Sequence, residues 1–253
     1  MPSAAIIFSA LNPLFVNAKE YFVALIYLCI VVTPIVLFMR PRRFYFVRHG
    51  ETILNAAHIR QGKDGSLSEN GKLQTQHVGL YLLHFHIKRI ISSPFERARE
   101  TAAIINGYLK VPISYSPLFA ERRNPAEIIG KHDDDSEVAR IVDQMDRAYH
   151  DDNYRFSDEE NFKDLKNRAR QALGFLSRRT SRETCVVTHS IFLKMLIAYL
   201  LYRDDIHATD YAKLSFFNAS DNANITICEF HPWKVFSKTR GWEVVSYNET
   251  PEK

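Results

Sequence analysis

The stretch FYFVRHGET, residues 44–52, decides how this chain folds. Its first four residues are apolar and predict a short buried strand. Arg48, His49 and Gly50 then place a cation, an imidazole and bare backbone at the end of that strand. Ligands bind at the carboxyl ends of strands in α/β folds, and an Arg beside a His favours an anion, phosphate foremost. The alternative is a strand followed by a turn that merely contains a histidine.

The composition is that of a mostly globular chain with little charge bias. Its 253 residues can form one large domain or two small ones. Apolar residues make up 46% and charged residues 25%, which excludes a largely disordered chain. The net charge of +4 comes from scattered basic residues, so nucleic-acid binding is not indicated. Cys29, Cys185 and Cys228 lie in apolar runs without metal-type spacing, which favours free thiols in a reducing compartment.

An uncharged stretch, YFVALIYLCIVVTPIVLFM, occupies residues 21–39. As a helix it spans about 28 Å, close to the thickness of the hydrocarbon core of a bilayer, and Pro34 is tolerated in a membrane helix. We therefore predict a transmembrane helix over residues 21–39, preceded by an N-terminal tail, residues 1–20. A buried core helix and a cleaved signal peptide are the alternatives. Against cleavage, the start of the chain lacks a basic region and the run lacks a small-residue cleavage site.

Basic residues flank this stretch unequally. Arg40, Arg42 and Arg43 follow it at once, whereas Lys19, next to Glu20, precedes it. The positive-inside rule then places the C-terminal domain in the cytoplasm. We predict residues 40–43 to be a basic linker and residues 44–253 to be a catalytic domain held close to the membrane.

Strands and helices are predicted to alternate along the rest of the chain. The strands occupy residues 44–47, 87–92, 112–116, 184–188, 225–230 and 243–247. The helices occupy residues 69–84, 95–108, 137–149, 162–179 and 191–202. In the first helix, Leu73, His77, Leu80 and Leu83 share one face. The alternation predicts an α/β domain with a mostly parallel sheet.

Four segments carry the side chains that chemistry would need. Two strands end in a histidine, His49 and His189, and Arg97 lies in the first turns of the helix that follows another strand. Glu121 lies in a strand-to-loop transition. Because the carboxyl ends of parallel strands meet at one edge of a sheet, we expect two imidazoles, two guanidiniums and a carboxyl group in one site.

This set of groups suits phosphoryl transfer. An imidazole nitrogen can attack phosphorus and form a phosphohistidine, and guanidiniums can bind the phosphoryl oxygens and stabilise the transition state. A second imidazole can donate to the same oxygens, and a carboxyl group can protonate the leaving alkoxide. No metal is required. His132 and the three aspartates after it are predicted to be a solvated acidic loop rather than a cation site.

From residue 44 onward the chain resembles the histidine phosphatase superfamily, branch 1, also called the phosphoglycerate mutase-like family. The matching motifs occur in the family's order and are Arg48-His49-Gly50-Glu51-Thr52 with Asn55, Leu67-Ser68-Glu69-Asn70-Gly71 with Gln74, Ser92-Ser93-Pro94 with Arg97-Ala98 and Thr101-Ala102, Glu121, and Thr188-His189. The resemblance implies a three-layer α/β/α sandwich with a mostly parallel central sheet. It leaves the predicted membrane segment outside.

The resemblance also implies roles for single residues. His49 would be the phosphorylated nucleophile and Glu121 the proton donor. Arg48, Arg97 and His189 would form the phosphate pocket. Further phosphate contacts would come from three polar residues, Asn55, Gln61 and Ser190. No metal or other cofactor is implied.

Two departures from the family pattern bear on activity. Ser190 stands where Gly is usual, but its backbone N–H remains usable. After Glu121, the segment Arg122-Arg123-Asn124-Pro125 lacks the His-Tyr-Gly continuation of cofactor-dependent mutases, which favours a phosphatase.

The preferred hypothesis is a membrane-anchored phosphomonoester hydrolase. A mutase-like phosphotransferase and a catalytically silent module that binds a phosphorylated ligand at the membrane are the alternatives. We expect residues 122–157, called the cap segment below, to select the substrate. A phosphorylated small molecule, a lipid-linked phosphate and a phosphoprotein all remain open.

Overall fold

The computed structural model describes residues 18–33, 40–148, 151–179, 181–217, 221–234 and 236–251. The chain divides into two compact units, Met1–Arg40 and Pro41–Lys253.

The N-terminal unit contains helix α1 (Ala18–Tyr27), which continues into a π-helical turn (Leu28–Val32). Its apolar side chains are exposed: Phe22 and Val23 are each 64% accessible and Ile30 is 68% accessible. Within the described ranges no helix is both long enough and apolar enough to cross a bilayer, so the predicted transmembrane helix is not found there. Residues 34–39 of the predicted span lie outside the described residues.

The second unit alternates strands and helices. In chain order its main elements are β1 (Arg42–Arg48), α2 (Ile53–Ala56), α3 (Glu69–Leu82), β2 (Ile90–Ser92), α4 (Glu96–Leu109), β3 (Ile113–Tyr115), α5 (Ser136–Arg147), α6 (Phe162–Ser177), β4 (Glu183–Thr188), α7 (Ser190–Tyr202), α8 (Ala208–Phe217), β5 (Ile225–Phe230) and β6 (Trp242–Glu249). The six strands form one sheet in the order β3-β2-β4-β1-β5-β6. Strands β1 to β4 pair in parallel, whereas β5 and β6 are antiparallel. This confirms the predicted α/β fold with a mostly parallel sheet.

Strand β1 is buried on both faces of the sheet. Phe44 and Phe46 belong to a core formed with α6 and α7, whereas Tyr45 and Val47 belong to a second core formed with α3 and α4. All four side chains are fully buried. Because neither face meets water, the strand is a continuous apolar run instead of alternating apolar and polar residues. Helices therefore cover both faces of the sheet.

The strand begins earlier than predicted. Arg42 and Arg43 belong to β1 rather than to a basic linker. Arg42 is 6% accessible and donates a hydrogen bond to the backbone oxygen of Ser177. The Arg43 Nε donates to Glu229 Oε1 at 2.9 Å. These hydrogen bonds explain how two arginines fit inside the domain. Of the predicted linker, residues 40–43, only residues 40 and 41 lie outside β1.

Helix α3 packs through a different face from the one the leucines mark. Leu73, Leu80 and Leu83 are 56%, 48% and 51% accessible. The buried face carries mostly small residues, Gly71, Thr75, Val78, Gly79 and Leu82. The reason is close approach: a Cβ on Gly71 would lie 1.9 Å from the Glu51 carbonyl oxygen, and one on Gly79 would lie 2.4 Å from the Tyr108 ring.

The cap segment carries α5 and a small core of its own. Ile128, Val138 and Ile141 are buried together. Its chain pairs with residues after α2, because Gly130 N–H donates to the Arg60 oxygen at 2.8 Å and Arg60 N–H donates to the Lys131 oxygen at 2.9 Å. One aspartate of the predicted acidic loop, Asp135, is the N-cap of α5, and another, Asp133, pairs with Arg60.

We expect Gly71→Ala to destabilise the domain by about 3 kcal/mol or more, because the new methyl group overlaps the Glu51 carbonyl and either α3 or the loop after β1 must shift. Urea unfolding followed by circular dichroism measures the change. Gly107→Ala in α4 is the matched control. A Cβ there meets no atom within 4 Å, so a gain of about 0.5–1 kcal/mol is expected. Equal changes in the free energy of unfolding for the two variants would contradict the close packing of Gly71 against the Glu51 carbonyl.

Candidate active site

The strand-end histidines come together at the carboxyl edge of the sheet. In the parallel pairing of β1 with β4, Arg48 lies opposite Thr188, so His49 and His189 leave neighbouring strands at the same level. Their ring centroids are 5.0 Å apart. His49 is 4% accessible and His189 is fully buried.

The hydrogen bonds of His49 fix its tautomer. Nδ1 lies 2.8 Å from the carbonyl oxygen of Gly50, which can only accept, so Nδ1 carries the proton. Nε2 accepts from Arg97 Nε at 3.2 Å. Burial lowers the pKa of His49 well below its ordinary value of 6.5, and the charges of Arg97 and Arg48 lower it further. The ring is therefore neutral, with an unprotonated Nε2 in the site, as a nucleophile requires.

Arg97 is held rigidly next to this nitrogen. It is 3% accessible, its Nη1 donates to the Gly62 carbonyl oxygen at 3.0 Å, and its guanidinium carbon lies 5.2 Å from the Phe95 ring centre. One turn further along α4, the Thr101 hydroxyl donates to the Arg97 carbonyl oxygen at 2.7 Å and accepts from Gly50 N–H at 3.1 Å. The start of α4 thus fixes both the guanidinium and the backbone that follows His49.

His189 has one engaged and one unengaged ring nitrogen. Its Nε2 lies 2.7 Å from the Ser93 hydroxyl, and the edge of the ring packs against Phe95. Its Nδ1 is buried and has no hydrogen-bond partner among the described residues, which is expected of a group that binds a ligand. Burial lowers the pKa of His189 as well, and the positive charge of Arg97 lowers it further.

Glu121 is fixed against the start of α7. Its Oε1 accepts from Phe192 N–H at 3.0 Å and from Arg122 N–H at 2.8 Å, and its Oε2 accepts from Ile191 N–H at 3.2 Å. These bonds satisfy helix N–H groups that the N-cap residue, His189, leaves without a side-chain partner. The carboxyl group is thereby tied to the same helix start as the second histidine.

Arg168 of α6 supports this arrangement and was not predicted from the sequence. Its Nη1 donates to the carbonyl oxygens of Leu118 at 3.2 Å and Ala120 at 2.7 Å, and its Nε donates to Glu160 at 2.6 Å. Its guanidinium carbon lies 4.3 Å from the Phe192 ring centre. Arg168 therefore braces both the chain that leads into Glu121 and the helix turn that the carboxyl group contacts.

A cavity of about 440 Å³ opens beside these groups, within the usual range for small-ligand sites. Arg97 and Glu121 line it together with residues of the cap segment, Arg122, Arg123 and Asn124. The Nε of Arg122 is buried without a hydrogen-bond partner among the described residues. The cavity is thus lined by side chains of both charges.

The other residues predicted to contact phosphate differ in how close they lie to the cavity. Gln61 lines the cavity, and its Oε1 is buried without a described partner. Asn55 is not among the lining residues; its Oδ1 accepts from Thr52 N–H at 3.3 Å in a capping box at the start of α2. Ser190 is the partly buried first residue of α7. Arg48 is close enough to shift the pKa of His49.

One backbone support of the site comes from far along the chain. The Asn222 side-chain amide donates to the His49 carbonyl oxygen at 3.2 Å, and so does Ala223 N–H, also at 3.2 Å. Because β5 is antiparallel to β1, its first residues lie at the carboxyl edge of β1. This contact could not be predicted from the sequence, because it depends on β5 running antiparallel to β1. Among the described residues, no His, Cys, Asp and Glu side chains cluster in a way that could hold a metal ion.

We expect stability to fall when the pH drops below 6.5. The folded-state pKa values of His49 and His189 lie below the unfolded value near 6.5, so their contribution is complete above pH 6.5 and is lost as the pH falls toward the folded values. The loss is roughly 1.4 kcal/mol per pH unit for each histidine. Urea midpoints on either side of pH 6.5 measure it. A His189→Asn variant should show a shallower slope, and an unchanged slope in that variant would contradict burial of a neutral ring.

Comparison with known proteins agrees with this architecture. Residues 44–249 match the family model of the histidine phosphatase superfamily (branch 1). The chain is 44% identical over 77 residues to the uncharacterized phosphatase PhoE of Bacillus subtilis, covering 30% of this chain and 40% of PhoE. It is 31% identical over 161 residues to the probable phosphoglycerate mutase GpmB of Erwinia tasmaniensis, covering 62% of this chain and 74% of GpmB.

The fold is also similar to that of a solved structure. The structure of Bacillus stearothermophilus YhfR matches with a TM-score of 0.66 at 25% identity, covering 82% of this chain and 97% of YhfR. The alignment with PhoE spans less than half of that relative, whereas the family match extends over nearly the whole second unit. The chain belongs to the histidine phosphatase superfamily, branch 1.

Proposed function

We propose that this protein is a phosphatase that hydrolyses phosphate monoesters through a phosphohistidine formed on His49. The observation that carries the proposal is the neutral His49 ring, whose unprotonated Nε2 lies 3.2 Å from the Arg97 guanidinium in a buried site. A buried neutral nucleophile beside fixed cations suits attack on a phosphate ester, because the cations bind the anion that the nucleophile must approach.

In the first step, Nε2 of His49 forms a bond to phosphorus as the bond from phosphorus to the ester oxygen breaks. Arg48, Arg97 and His189 stabilise the charge on the non-bridging oxygens. In this step the Glu121 carboxyl group transfers its proton to the departing alkoxide. In the second step, water attacks phosphorus, Glu121 accepts its proton, and the bond from phosphorus to Nε2 breaks to release phosphate.

We expect Glu121→Gln to slow hydrolysis in a way that depends on the leaving group. The amide oxygen can still accept the helix N–H bonds but the side chain supplies no proton. For an alkyl phosphate, kcat/KM should fall by about 10²–10⁴-fold, whereas p-nitrophenyl phosphate, whose leaving group needs no proton, should lose far less. Glu137→Gln, an exposed residue of α5, is the control. Equal losses with both substrates would remove Glu121 from the proton-donor role.

Hydrolysis rather than transfer is favoured by the segment after Glu121. It reads Arg122-Arg123-Asn124-Pro125, without the continuation typical of cofactor-dependent mutases. A mutase-like phosphotransferase is the second candidate because one relative is named a probable phosphoglycerate mutase. The ratio of phosphate released to phosphate transferred to an added alcohol separates the two. Ligand binding without turnover would instead favour a silent binding module.

We propose a phosphorylated small molecule as the substrate. A cavity of about 440 Å³ accommodates a compact polar ester, and Arg122 offers an unpaired buried donor to the body of that ester. A panel of sugar phosphates, lipid-linked phosphates and phosphopeptides tests this choice. Faster turnover of lipid-linked phosphates or phosphopeptides than of every small ester would overturn it.

Membrane attachment through residues 21–39, with the catalytic domain on the cytoplasmic side, is also a proposal. It is supported by the uncharged apolar sequence, by the arginines that follow it and by the exposed apolar side chains of the N-terminal unit. Extraction of membranes with alkaline carbonate, followed by protease protection, tests attachment and orientation. Release of the protein by carbonate would contradict anchoring.

A further inference from the structure

The edge of the sheet opposite the active site carries exposed basic and aromatic side chains. β1 and β4 begin there, at Arg42 and Glu183, and β5 ends there at Phe230. The turn between β5 and β6, residues 231–241, therefore lies at this edge. β1 has seven residues, which separates the two edges by roughly 20 Å. We call this surface the amino edge.

Six of the exposed cations that the structure describes lie at the amino edge. They precede β2 and β4 or lie in the β5–β6 turn: Lys88, Arg178, Arg182, Lys234, Lys238 and Arg240. The Arg240 charge helps lower the pKa of Arg203, so the turn lies near the end of α7. Two ion pairs at this edge, Arg43 with Glu229 and Lys234 with Glu243, leave the other five exposed cations as the source of its positive charge. Asp204 and Asp205 are the exposed acids at the end of α7.

Large apolar side chains project between these cations. Phe236 is 100% accessible and Trp233 is 37% accessible, and both lie in the turn that carries Lys234 and Lys238. Tyr202, at the end of α7, is 42% accessible. A fully exposed phenylalanine loses the benefit of burial, and aromatic residues flanked by basic ones are typical of surfaces that bind the headgroup region of a bilayer.

We propose that the amino edge docks onto an anionic phospholipid surface, with Phe236 and Trp233 entering the interface and the lysines and arginines contacting headgroups. Charge complementarity supports this occupant, because basic residues are attracted to anionic leaflets. Chain connectivity supports it as well. The uncharged stretch of residues 21–39 precedes β1, which starts at this edge. In this orientation the active site opens away from the lipid, toward soluble substrates.

The experiment uses the full chain reconstituted in vesicles. The protein contains two tryptophans, and Trp242 is only 2% accessible, packed between Phe44 and Phe230. Trp233 is therefore the residue that brominated acyl chains can reach. We expect quenching of its emission in vesicles that contain phosphatidylserine, reversal by high salt, and little quenching in pure phosphatidylcholine. Trp233→Phe should abolish the quenchable signal.

Two variants and a matched control distinguish docking of the amino edge from attachment through residues 21–39 alone. Lys238→Glu should weaken docking roughly tenfold, and Phe236→Ala should reduce quenching while salt still modulates it. Arg140→Glu, an exposed cation of α5 in the cap segment, makes the same charge change away from the amino edge and should leave quenching intact. Unquenched Trp233 in phosphatidylserine vesicles, or equal effects of Lys238→Glu and Arg140→Glu, would overturn the proposal. Hydrolysis of p-nitrophenyl phosphate by Lys238→Glu should match the unaltered chain, so a failed docking test leaves the proposed catalysis untouched.

Discussion

We expect His49→Ala to abolish phosphatase activity, with a fall in kcat of at least about 10⁴-fold. The variant removes the nitrogen that attacks phosphorus and that accepts a hydrogen bond from Arg97. Hydrolysis of p-nitrophenyl phosphate measures the loss, because this substrate needs the least help from the proton donor.

The control for this variant is His84→Ala. His84 is exposed, follows α3 and lies outside the site, so its activity should equal that of the unaltered chain. Circular dichroism should show that His49→Ala remains folded. A folded His49→Ala protein that retains more than a hundredth of the activity would contradict a covalent role for this residue.

Arg97→Met has the second largest expected effect. Methionine keeps much of the side-chain length but loses the guanidinium that donates to His49 and would hold the phosphoryl oxygens. We expect kcat/KM to fall by about 10³-fold. Because the Arg97 charge also helps keep the pKa of His49 low, the acid limb of the pH–rate profile should move to higher pH. That displacement is not expected from a purely structural defect.

Arg99→Met provides the matched comparison on the same helix. Arg99 is exposed and stacks on Tyr115, with its guanidinium carbon 4.4 Å from the ring centre. The Arg99→Met variant should change neither kcat/KM nor the pH–rate profile. A similar fall in activity for both arginine variants would mean that α4 is sensitive to any loss of charge, and that Arg97 has no particular part in phosphate binding.

Much of the fold was predictable because the hydrophobic pattern is strong. The stretch over residues 44–47 has no polar residue, since β1 is covered on both faces, and β5 was predicted residue for residue at 225–230. The face through which α3 packs was not predicted from the sequence. Hydropathy marks Leu73 and Leu80, whereas the helix packs through Gly71 and Gly79, which allow close approach.

The site was predictable where local sequence carries the chemistry. His49 and His189 directly follow strands, and Arg97 opens a helix after a strand, so topology alone brings them together. Arg168 and Asn222 could not be predicted. The Asn222 amide contacts a carbonyl 173 residues earlier, and Arg168 acts on carbonyls 48 and 50 residues away. Such contacts depend on the three-dimensional arrangement and leave no pattern in the neighbouring sequence. Helix α8 also escaped prediction.

Trapping the covalent intermediate distinguishes a phosphohistidine on His49 from other routes of hydrolysis. The protein is mixed with a ³²P-labelled phosphate ester, denatured within one turnover, digested and mapped. We expect label on the peptide that carries His49, lost in acid and retained in alkali, and absent from the His49→Ala protein. An acid-stable adduct, label on another residue, or turnover by a protein that never becomes labelled would contradict a phosphohistidine on His49.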